Sequence, residues 1–328
     1  MIISRTPFRI SFFGGGTDFP EWYIKNNGKV ISTAINKYCY ISARILPPFF
    51  NYKYRLRYFK DEHVSKISEI KHASIRETIR YKKIKHNLEI VHNADLPAQS
   101  GLGASSSFTV GLLNSLAGLN NELVSKKSLA MQAIDIEQKR IKEFVGSQDQ
   151  MSAAFGGFNV INFNSNSIEV KPVNSKKNIE KIKKSIFLIF TGFQRSAQKI
   201  EKKKINKINL NEKIYAEILN ITQVAEEKIY NSKNIVSDFS ELMNKYWWYK
   251  KKLSTDVTNH KINKIYNLGI KNGAYAGKIT GAGGGGFMMF LIDKKKKIVF
   301  REIFKNYVIV PISFDKIGSQ IIYNQSID

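Results

Sequence analysis

The chain has 328 residues, enough for two domains with a sizeable core, and 43% of them are hydrophobic, as is ordinary for a globular protein. Its single cysteine, Cys39, excludes an internal disulfide framework and fits a reducing compartment. No apolar run approaches the roughly 20 residues that span a bilayer, and the first residues lack the basic start and apolar core of a signal peptide. We therefore expect a cytoplasmic protein with no membrane partner.

The chain is strongly basic, with 52 Lys and Arg residues against 27 Asp and Glu and a formal net charge of +25. One interpretation of this charge is a nucleic-acid partner. The lysines, however, lie in scattered runs without interleaved aromatic residues, such as the segments 181–184, 202–204 and 294–297. This distribution favours solvated surfaces, so we expect no nucleic-acid partner. A positive field of this size should instead attract anionic small molecules.

Hydrophobic periodicity predicts an N-terminal half that is rich in strands. The expected strands are residues 2–13, 29–35, 38–45, 52–59 and 88–91, and another strand-rich stretch begins at 156. The expected helices are a basic one over 65–85, an apolar one that begins after 107, and one over 125–144. The composition then turns to Lys, Asn and Ser at 174–184, which indicates a domain boundary.

The C-terminal half is predicted to contain longer helices. A strand is expected over 186–190, followed by helices over 197–232, 236–254 and 261–272, a Gly-rich segment and a buried strand over 287–292. This order indicates two α+β halves rather than a continuous β-α-β alternation. We therefore predict an α+β fold with domains 1–175 and 176–328.

A Gly/Ser-rich segment between a predicted strand and a predicted helix is the first candidate site. It comprises Pro97, Ala98, Gln99, Ser100, Gly101, Leu102, Gly103, Ala104, Ser105, Ser106 and Ser107. Glycines let the backbone approach a ligand, and the first turn of a helix offers unpaired N–H groups with partial positive charge. These are the properties of a phosphate-binding loop. The alternative is a turn that caps an ordinary helix, and two further Gly-rich segments, 14–18 and 278–287, weigh against it.

Two common nucleotide-binding motifs are excluded. A Walker loop needs four residues between its glycines and then Lys-Ser/Thr, whereas the segment 273–279 has three and an Ile after the Lys. The segment 281–286 satisfies G-x-G-x-x-G, but a predicted strand follows it where a dinucleotide-binding fold has a helix. Protein-kinase signatures are also absent from the sequence.

Three charged residues stand in unusual positions. Glu137 falls within the apolar stripe of the helix predicted over 125–144, so it needs either a buried Arg or Lys partner or a divalent cation. Asp149 follows that helix and is either a turn residue or a group that accepts a hydroxyl proton. Arg9 lies among apolar residues of the first strand, where it could pair with a carboxylate such as Asp149 or stabilise a transferring phosphate.

Four motifs in chain order together resemble the GHMP small-molecule kinases, a superfamily that includes galactokinase, homoserine kinase, mevalonate kinase and phosphomevalonate kinase. They are Pro7-x-Arg9-x-x-x-x-Gly14-x-x-Thr17-Asp18, the 97–107 segment, Glu137 with Gly146-x-x-Asp149-Gln150, and Lys278-x-Thr280-Gly281-Ala282-Gly283-Gly284. The motifs span nearly the whole chain. The resemblance implies the GHMP kinase fold, with an N-terminal ribosomal protein S5 domain 2-like domain, a C-terminal ferredoxin-like domain, and a site in the cleft between them.

The resemblance also implies a role for each motif. The amides of Ser100, Gly101, Leu102, Gly103, Ala104, Ser105 and Ser106, preceded by Pro97, would wrap the phosphates of ATP. Glu137 would be a Mg²⁺ ligand, with Ser106 or Ser105 beside the ion. Asp149 would be the catalytic base, oriented by Arg9.

The acceptor site would be formed by both halves. Asp18, with Gly16 and Thr17, would bind sugar hydroxyls, and the 281–286 loop with Gly283 would shape the floor. If the acceptor carries a phosphate, Arg195 and Lys199 are candidates to bind it, because they follow a predicted strand and open a helix. The alternative is that both are surface charges of a basic protein.

Within the superfamily, the segment Phe12 to Pro20 looks most like that of the D-glycero-D-manno-heptose 7-phosphate kinases, which phosphorylate the anomeric oxygen to give the 1,7-bisphosphate. The galactokinase version has Gly-Glu-His-Thr-Asp, whereas Gly15 and Gly16 replace the Glu-His pair here. A fucokinase-like enzyme acting on a free sugar and a non-catalytic sugar or nucleotide sensor remain alternatives. Either a monomer or a homodimer is compatible with the sequence.

Overall fold

A computed structural model describes residues 1–194 and 196–325 of the chain. The strands are β1 (Ile2–Phe13), β2 (Gly28–Ile45), β3 (Tyr54–Arg57), β4 (Asp61–Val64), β5 (Leu88–Ala94), β6 (Phe158–Phe163), β7 (Ile168–Pro172), β8 (Ile186–Phe190), β9 (Ala276–Ile279), β10 (Phe287–Leu291) and β11 (Gln320–Asn324). The α-helices are α1 (Pro20–Asn26), α2 (Ala73–Tyr81), α3 (Ala104–Leu119), α4 (Lys126–Ile134), α5 (Gln148–Phe155), α6 (Lys176–Ser185), α7 (Ala197–Ile205), α8 (Glu212–Asn231), α9 (Ile235–Lys252), α10 (His260–Lys271) and α11 (Lys297–Ile303).

The strands form two sheets, as the element order predicts. The larger sheet has the order β11-β1-β2-β5-β3-β4, and β6 pairs with β2 and with β7. The smaller sheet has the order β8-β10-β9 and is antiparallel throughout. Every residue of β10 is buried, which explains why its sequence is a continuous apolar run rather than an alternating one. The α+β class is therefore confirmed.

One long strand replaces two predicted ones near the start of the chain. β2 runs without a break from Gly28 to Ile45, although its polar residues Asn36 and Lys37 suggested a turn. The register against β1 shifts at this point, because Pro7 pairs with Tyr38 while Phe8 pairs with Ile35. The two polar residues thus form a β-bulge that bends the strand without ending it.

The helix predicted over 65–85 is much shorter in the structure. A 3₁₀ turn forms over Ile67–Glu69, and buried Glu62 accepts hydrogen bonds from the amides of Lys71 (2.7 Å) and His72 (3.2 Å), so these two residues stay outside the helix that begins at Ala73. Likewise, the helix predicted over 197–232 divides into α7 and α8 around residues 206–211. Asn206, Asn209 and Asn211 lie at this break, and Asn side chains compete with helical backbone hydrogen bonds.

The last strand returns to the first sheet. β11 pairs antiparallel with β1, so residues 320–324 belong to the larger sheet although they follow the smaller one in the chain. The division near residue 175 stays a prediction, and β11, although it falls within the predicted 176–328 domain, pairs with the larger sheet.

Helix α3 packs closely on the larger sheet and fixes the position of the loop before it. A Cβ at Gly111 would lie 2.9 Å from Oγ1 of Thr6 and 3.3 Å from the Ile41 side chain. Buried hydroxyls bridge the same contact, since Ser4 Oγ donates to the Gly111 carbonyl at 2.8 Å and Ser115 Oγ donates to the Ile41 carbonyl at 3.0 Å.

We predict that Gly111→Val lowers the free energy of unfolding by about 1–3 kcal/mol, because the added side chain pushes α3 off the sheet. Gly111→Ala is the graded control and should cost less, since alanine also favours the helix over glycine. Urea unfolding followed by circular dichroism measures both values. A valine variant as stable as the wild type would contradict this close packing.

Candidate active site

A cleft with a volume of about 290 Å³ opens between the two halves and is lined by residues from both. Most of the predicted site residues line it: Arg9, Gly16, Asp18, Ser100, Gly101, Gly103, Ala104, Ser105, Ser106 and Asp149. The sequence separates these residues by up to 140 positions. The fold therefore brings the first three motifs to one place, and the fourth reaches it through Lys278, Gly281 and Ala282.

The predicted phosphate-binding loop has the backbone geometry of an anion site. Gln99, Gly101 and Gly103 all have positive φ angles, of 55°, 75° and 79°. Helix α3 begins directly after them, and no side chain of the described residues caps its N-terminus. The N–H groups of its first turn are therefore available to a ligand in the cleft.

The fourth motif supports this loop from the C-terminal half. A Cβ at Gly281 would lie 2.6 Å from the Cα of Gly101, so the two backbones touch where each lacks a side chain. The amide of Phe287 donates to the Ser100 carbonyl at 3.2 Å. The loop is thus held between β1 and the start of β10.

Arg9 and Asp149 form a bidentate ion pair. Nε and Nη2 of Arg9 each donate to a carboxylate oxygen of Asp149, both at 2.7 Å. The third donor, Nη1, binds the Gly101 carbonyl at 2.8 Å, and the Arg9 amide donates to the Leu102 carbonyl at 2.9 Å. Arg9 is buried, whereas the Asp149 side chain is 25% exposed toward the cleft. The pair orients one carboxylate beside the phosphate-binding loop.

Asp18 lies deep in the same cleft. It accepts hydrogen bonds from the Gly16 amide at 2.8 Å and from the side-chain amide of Gln148 at 3.0 Å. Burial raises its pKa to about 6, and the nearby Asp149 charge adds to that shift. A Cβ at Gly146 would collide with the Asp18 carboxylate, which explains the glycine at this position.

Glu137 is fully buried, and no Arg or Lys of the described residues pairs with it, although a structural role predicted such a partner. Its Oε2 accepts hydrogen bonds from Ser106 Oγ at 2.8 Å and from Gln150 at 2.6 Å, while Oε1 has no partner among the described residues. Burial, with a smaller contribution from the Glu143 charge, raises the pKa of Glu137 to about 7. A carboxylate with an unpartnered oxygen beside a serine hydroxyl fits a Mg²⁺ ion.

The local backbone around Glu137 is also unusual. Helix α4 passes into a π-helix over Asp135–Arg140, and such π-segments occur frequently at functional sites. Glu143, which follows, lines the cleft and has a buried oxygen without a partner among the described residues. No cluster of three or more metal-ligating side chains occurs in the described ranges, so a metal here would take most of its ligands from phosphates and water.

Three buried lysines to which the sequence interpretation gave no role face the same region: Lys204, Lys250 and Lys278. Lys278 donates to the carbonyls of Ser11 and Phe12, both at 2.8 Å, and burial holds its pKa well below the usual range. The helical periodicity of the sequence could have indicated Lys204 and Lys250. Each lies four residues after a buried residue of its helix, Ile200 for Lys204 and Tyr246 for Lys250, and therefore falls on the same buried face.

The remaining predicted residues lie elsewhere. Thr17 is buried and donates its hydroxyl to the carbonyls of Gly14 (2.8 Å) and Lys29 (3.0 Å). Gly283 packs against Val257, and Leu102 is buried under the loop. Pro97 and Lys199 are exposed and are not among the described residues that line the cleft. Arg195 lies outside the described residues, so its role stays a prediction.

Comparison with known proteins identifies the family. The family model of the GHMP kinase N-terminal domain matches residues 69–157, and that of the GHMP kinase C-terminal domain matches residues 232–309. The chain is 32% identical to D-glycero-alpha-D-manno-heptose 7-phosphate kinase of Campylobacter jejuni over 311 residues, which cover 90% of this chain and 91% of the relative. This chain belongs to the GHMP kinase family.

More distant GHMP kinases share the sequence pattern and the fold. Mevalonate kinase of Methanocaldococcus jannaschii is 26% identical over 240 residues, 72% of each chain. The crystal structure of a D-glycero-D-manno-heptose 1-phosphate kinase from Bacteroides thetaiotaomicron superposes with a TM-score of 0.79 at 22% identity, covering 99% of this chain and all of that one. The protein is therefore an ATP-dependent phosphotransferase with the GHMP kinase fold. No helix of the described residues has the length and apolarity to cross a membrane.

We predict that Asp149→Asn lowers kcat by at least about 100-fold, because the amide cannot accept a proton from an acceptor hydroxyl. The amide oxygen still accepts a hydrogen bond from Arg9, so the loop should keep its geometry. Calorimetric titration should accordingly show an ATP affinity within about twofold of the wild type. A variant with unchanged turnover would refute the assignment of Asp149 as the base.

The buried Glu137 should make stability depend on pH in the nucleotide-free and metal-free protein. Its carboxyl favours the protonated form when folded, so its contribution to stability is fully present below pH 4.5 and is lost as the pH rises through about 7. The substitution Glu137→Gln removes this pH-dependent loss of stability, because glutamine does not titrate. The stability of the variant relative to the wild type should therefore increase by roughly 2–3 kcal/mol between pH 5 and pH 8.

Urea unfolding in EDTA at the two pH values measures this difference. Glu241→Gln, a change at an exposed surface carboxylate, is the matched control and should show no such trend. If the difference between Glu137→Gln and the wild type is the same at both pH values, the buried carboxyl does not titrate in this range.

Proposed function

We propose that this protein transfers the γ-phosphoryl group of ATP to the anomeric oxygen of D-glycero-D-manno-heptose 7-phosphate. The product would be the 1,7-bisphosphate, in the synthesis of nucleotide-activated heptose for surface polysaccharide. The observation that carries the kinase chemistry is the Arg9–Asp149 pair beside the loop at residues 100–106. The choice of acceptor is supported by the 32% identical relative, whose name specifies heptose 7-phosphate. A cytoplasmic location remains part of this proposal.

In the proposed reaction, the residues of this chain position the reactants and compensate charge. The amides of Ser100 to Ser106 bind the phosphates of ATP. The Asp149 carboxylate accepts the proton of the anomeric hydroxyl as that oxygen bonds to the γ-phosphorus, while the bond from the γ-phosphorus to the β–γ bridging oxygen breaks and ADP leaves. The Arg9 guanidinium keeps that carboxylate in place through two hydrogen bonds. Phosphoryl transfer depends mainly on such positioning and on electrostatic stabilisation.

We assign Mg²⁺ binding to Glu137 and Ser106. When it is bound with ATP, the metal would neutralise part of the negative charge of the phosphates. Gln150 and Ser106 donate to one oxygen of Glu137 and leave the other without a partner among the described residues, which orients the carboxylate for a further contact. Glu143 is close enough to raise the pKa of Glu137, and an ion there would relieve the repulsion between the two carboxylates.

Asp18 is the proposed acceptor-binding carboxylate. It points into the cleft from the end of the first Gly-rich segment and is influenced by the charge of Asp149, so the two groups can contact one small molecule. A Cβ at Gly16 would lie 2.9 Å from the ring of Tyr215, and one at Gly15 would lie 3.2 Å from the hydroxyl of Tyr246. The Glu-His pair of galactokinases therefore does not fit at these positions with the tyrosines as they stand, which supports an acceptor other than galactose.

The test is ADP release with Mg·ATP against a panel: D-glycero-D-manno-heptose 7-phosphate, mannose 6-phosphate, fucose, galactose and mevalonate. We expect turnover with the heptose phosphate to exceed that with every other acceptor by at least about 100-fold in kcat/KM. Turnover of fucose or another free sugar in its place would keep the kinase chemistry and overturn the proposed acceptor. ATP binding without turnover of any acceptor would instead favour a sensor.

A further inference from the structure

Two of the buried lysines reach the cleft from helices of the C-terminal half. Lys204 lies on α7 and Lys250 on α9, and their exposed fractions are only 3% and 4%. Both line the same cleft as Asp18 and Asp149. Lysine is rarely buried to this extent unless its charge is compensated.

Lys250 forms no direct ion pair with a carboxylate of the described residues. Its ammonium group donates to the carbonyls of Gly281 at 2.6 Å and Ile279 at 3.4 Å, and no ion pair of this residue occurs within the described part of the chain. Burial, together with the neighbouring charge of Lys204, lowers its pKa to about 7. A buried cation of this kind gains stability from an anion that enters beside it.

Lys204 is only partly compensated. It donates to the Ala282 carbonyl at 2.7 Å and pairs with Glu201 at 3.1 Å. The charge of Lys204 lowers the pKa of Lys250, so the two ammonium groups lie near each other. The charges of Glu201 and Asp18, in the same region, act on the pKa of Lys250 in the opposite direction. Lys204 is paired with Glu201, whereas Lys250 has no carboxylate within ion-pair distance among the described residues, so this wall of the cleft keeps one ammonium group without a direct anionic partner.

The phosphates of the nucleotide already have a binding site in the loop at residues 100–106. A second positive wall, built on other helices and near Asp18, fits an anionic group on the acceptor. We propose that Lys204 and Lys250 form the subsite for the phosphate of a sugar-phosphate acceptor. This inference rests on the proposed function, and it assigns to these two lysines the contact for which the sequence suggested Arg195 and Lys199.

A purely structural role makes a different prediction. The two lysines bind three carbonyls of the Gly-rich loop, those of Ile279, Gly281 and Ala282, and Gly281 in turn touches Gly101. If they only held this loop, their loss would affect every acceptor and ATP alike. If they bind the acceptor's phosphate, the loss is specific to the phosphorylated acceptor.

The experiment compares D-glycero-D-manno-heptose 7-phosphate with the same heptose lacking the phosphate. The variants are Lys204→Met and Lys250→Met, which keep the length of the side chain and remove the charge. Lys203→Met is the matched control, because Lys203 is exposed on the same helix. Steady-state kinetics gives KM for each acceptor and for ATP. Calorimetry of the heptose 7-phosphate without nucleotide gives a binding readout that is independent of turnover, and thermal unfolding reports folding.

We expect each methionine variant to weaken binding of the phosphorylated acceptor by about 10- to 100-fold, as for the loss of a charge-assisted contact. KM for the unphosphorylated heptose and for ATP should change less than about threefold, and Lys203→Met should match the wild type. Lys250→Arg should bind the phosphorylated acceptor more tightly than Lys250→Met does, because it keeps the positive charge. If Lys250→Met does not fold, Lys204→Met tests the subsite independently.

Two results would overturn the subsite. One is equal weakening for both acceptors and ATP, which would mean that the lysines hold the loop or serve the nucleotide. The other is unchanged affinity for the phosphorylated acceptor in both variants. Failure of the proposed function gives a separate result, because the wild type itself would then show no preference for the phosphorylated heptose.

Discussion

The two hydrogen bonds between Arg9 and Asp149 connect two parts of the site that lie 140 positions apart in sequence. Arg9 projects from strand β1, Asp149 lies in the first turn of α5, and the third guanidinium donor binds the carbonyl of Gly101 in the loop at residues 100–106. One buried side chain therefore sets the distance between the Asp149 carboxylate and this loop. Replacement of Arg9 by lysine would keep the charge but lose this simultaneous contact, because an ammonium group cannot present a rigid planar fork.

Close backbone contacts form the second constraint. Gly101 meets Gly281 across the cleft, and Gly146 lies directly against the Asp18 carboxylate. In each case the contact is possible only because a side chain is missing. The glycines of three motifs thus do more than shape turns: they let the loop at residues 100–106, the C-terminal loop and the Asp18 carboxylate converge within one small cleft.

The sequence predicted those parts of the fold that depend on local pattern. The strands at 2–13 and 186–190 have the predicted bounds, because alternating or continuous apolar residues report burial directly. The unbroken β2 and the shortened α2 could not be predicted, since a bulge opposite Pro7 and the hydrogen bonds of Glu62 depend on distant partners.

The same distinction holds for the site. The sequence drew attention to Glu137, Asp149 and Arg9 because of their positions. Glu137 and Arg9 lie among apolar residues, where a charge needs a partner, and Asp149 directly follows a predicted helix. Lys204 and Lys250 were not, because a lysine among 52 basic residues is ordinarily a surface group. Only the packing of α7 and α9 against the cleft shows that these two charges are buried.

The return of the chain to its first sheet also restricts how the cleft can move. The chain passes from the larger sheet to the smaller one after β7 and returns after Val310. The amide of Val310 donates to the carbonyl of Leu188 in the smaller sheet, and three residues later the carbonyl of Ser313 accepts a hydrogen bond from the amide of Asn36 in the larger sheet. Two covalent crossings constrain the two sheets more than a single linker would. Phe12 and Phe13 of β1 also pack against Phe239 of α9, so the parts of the chain that line the cleft share one buried core.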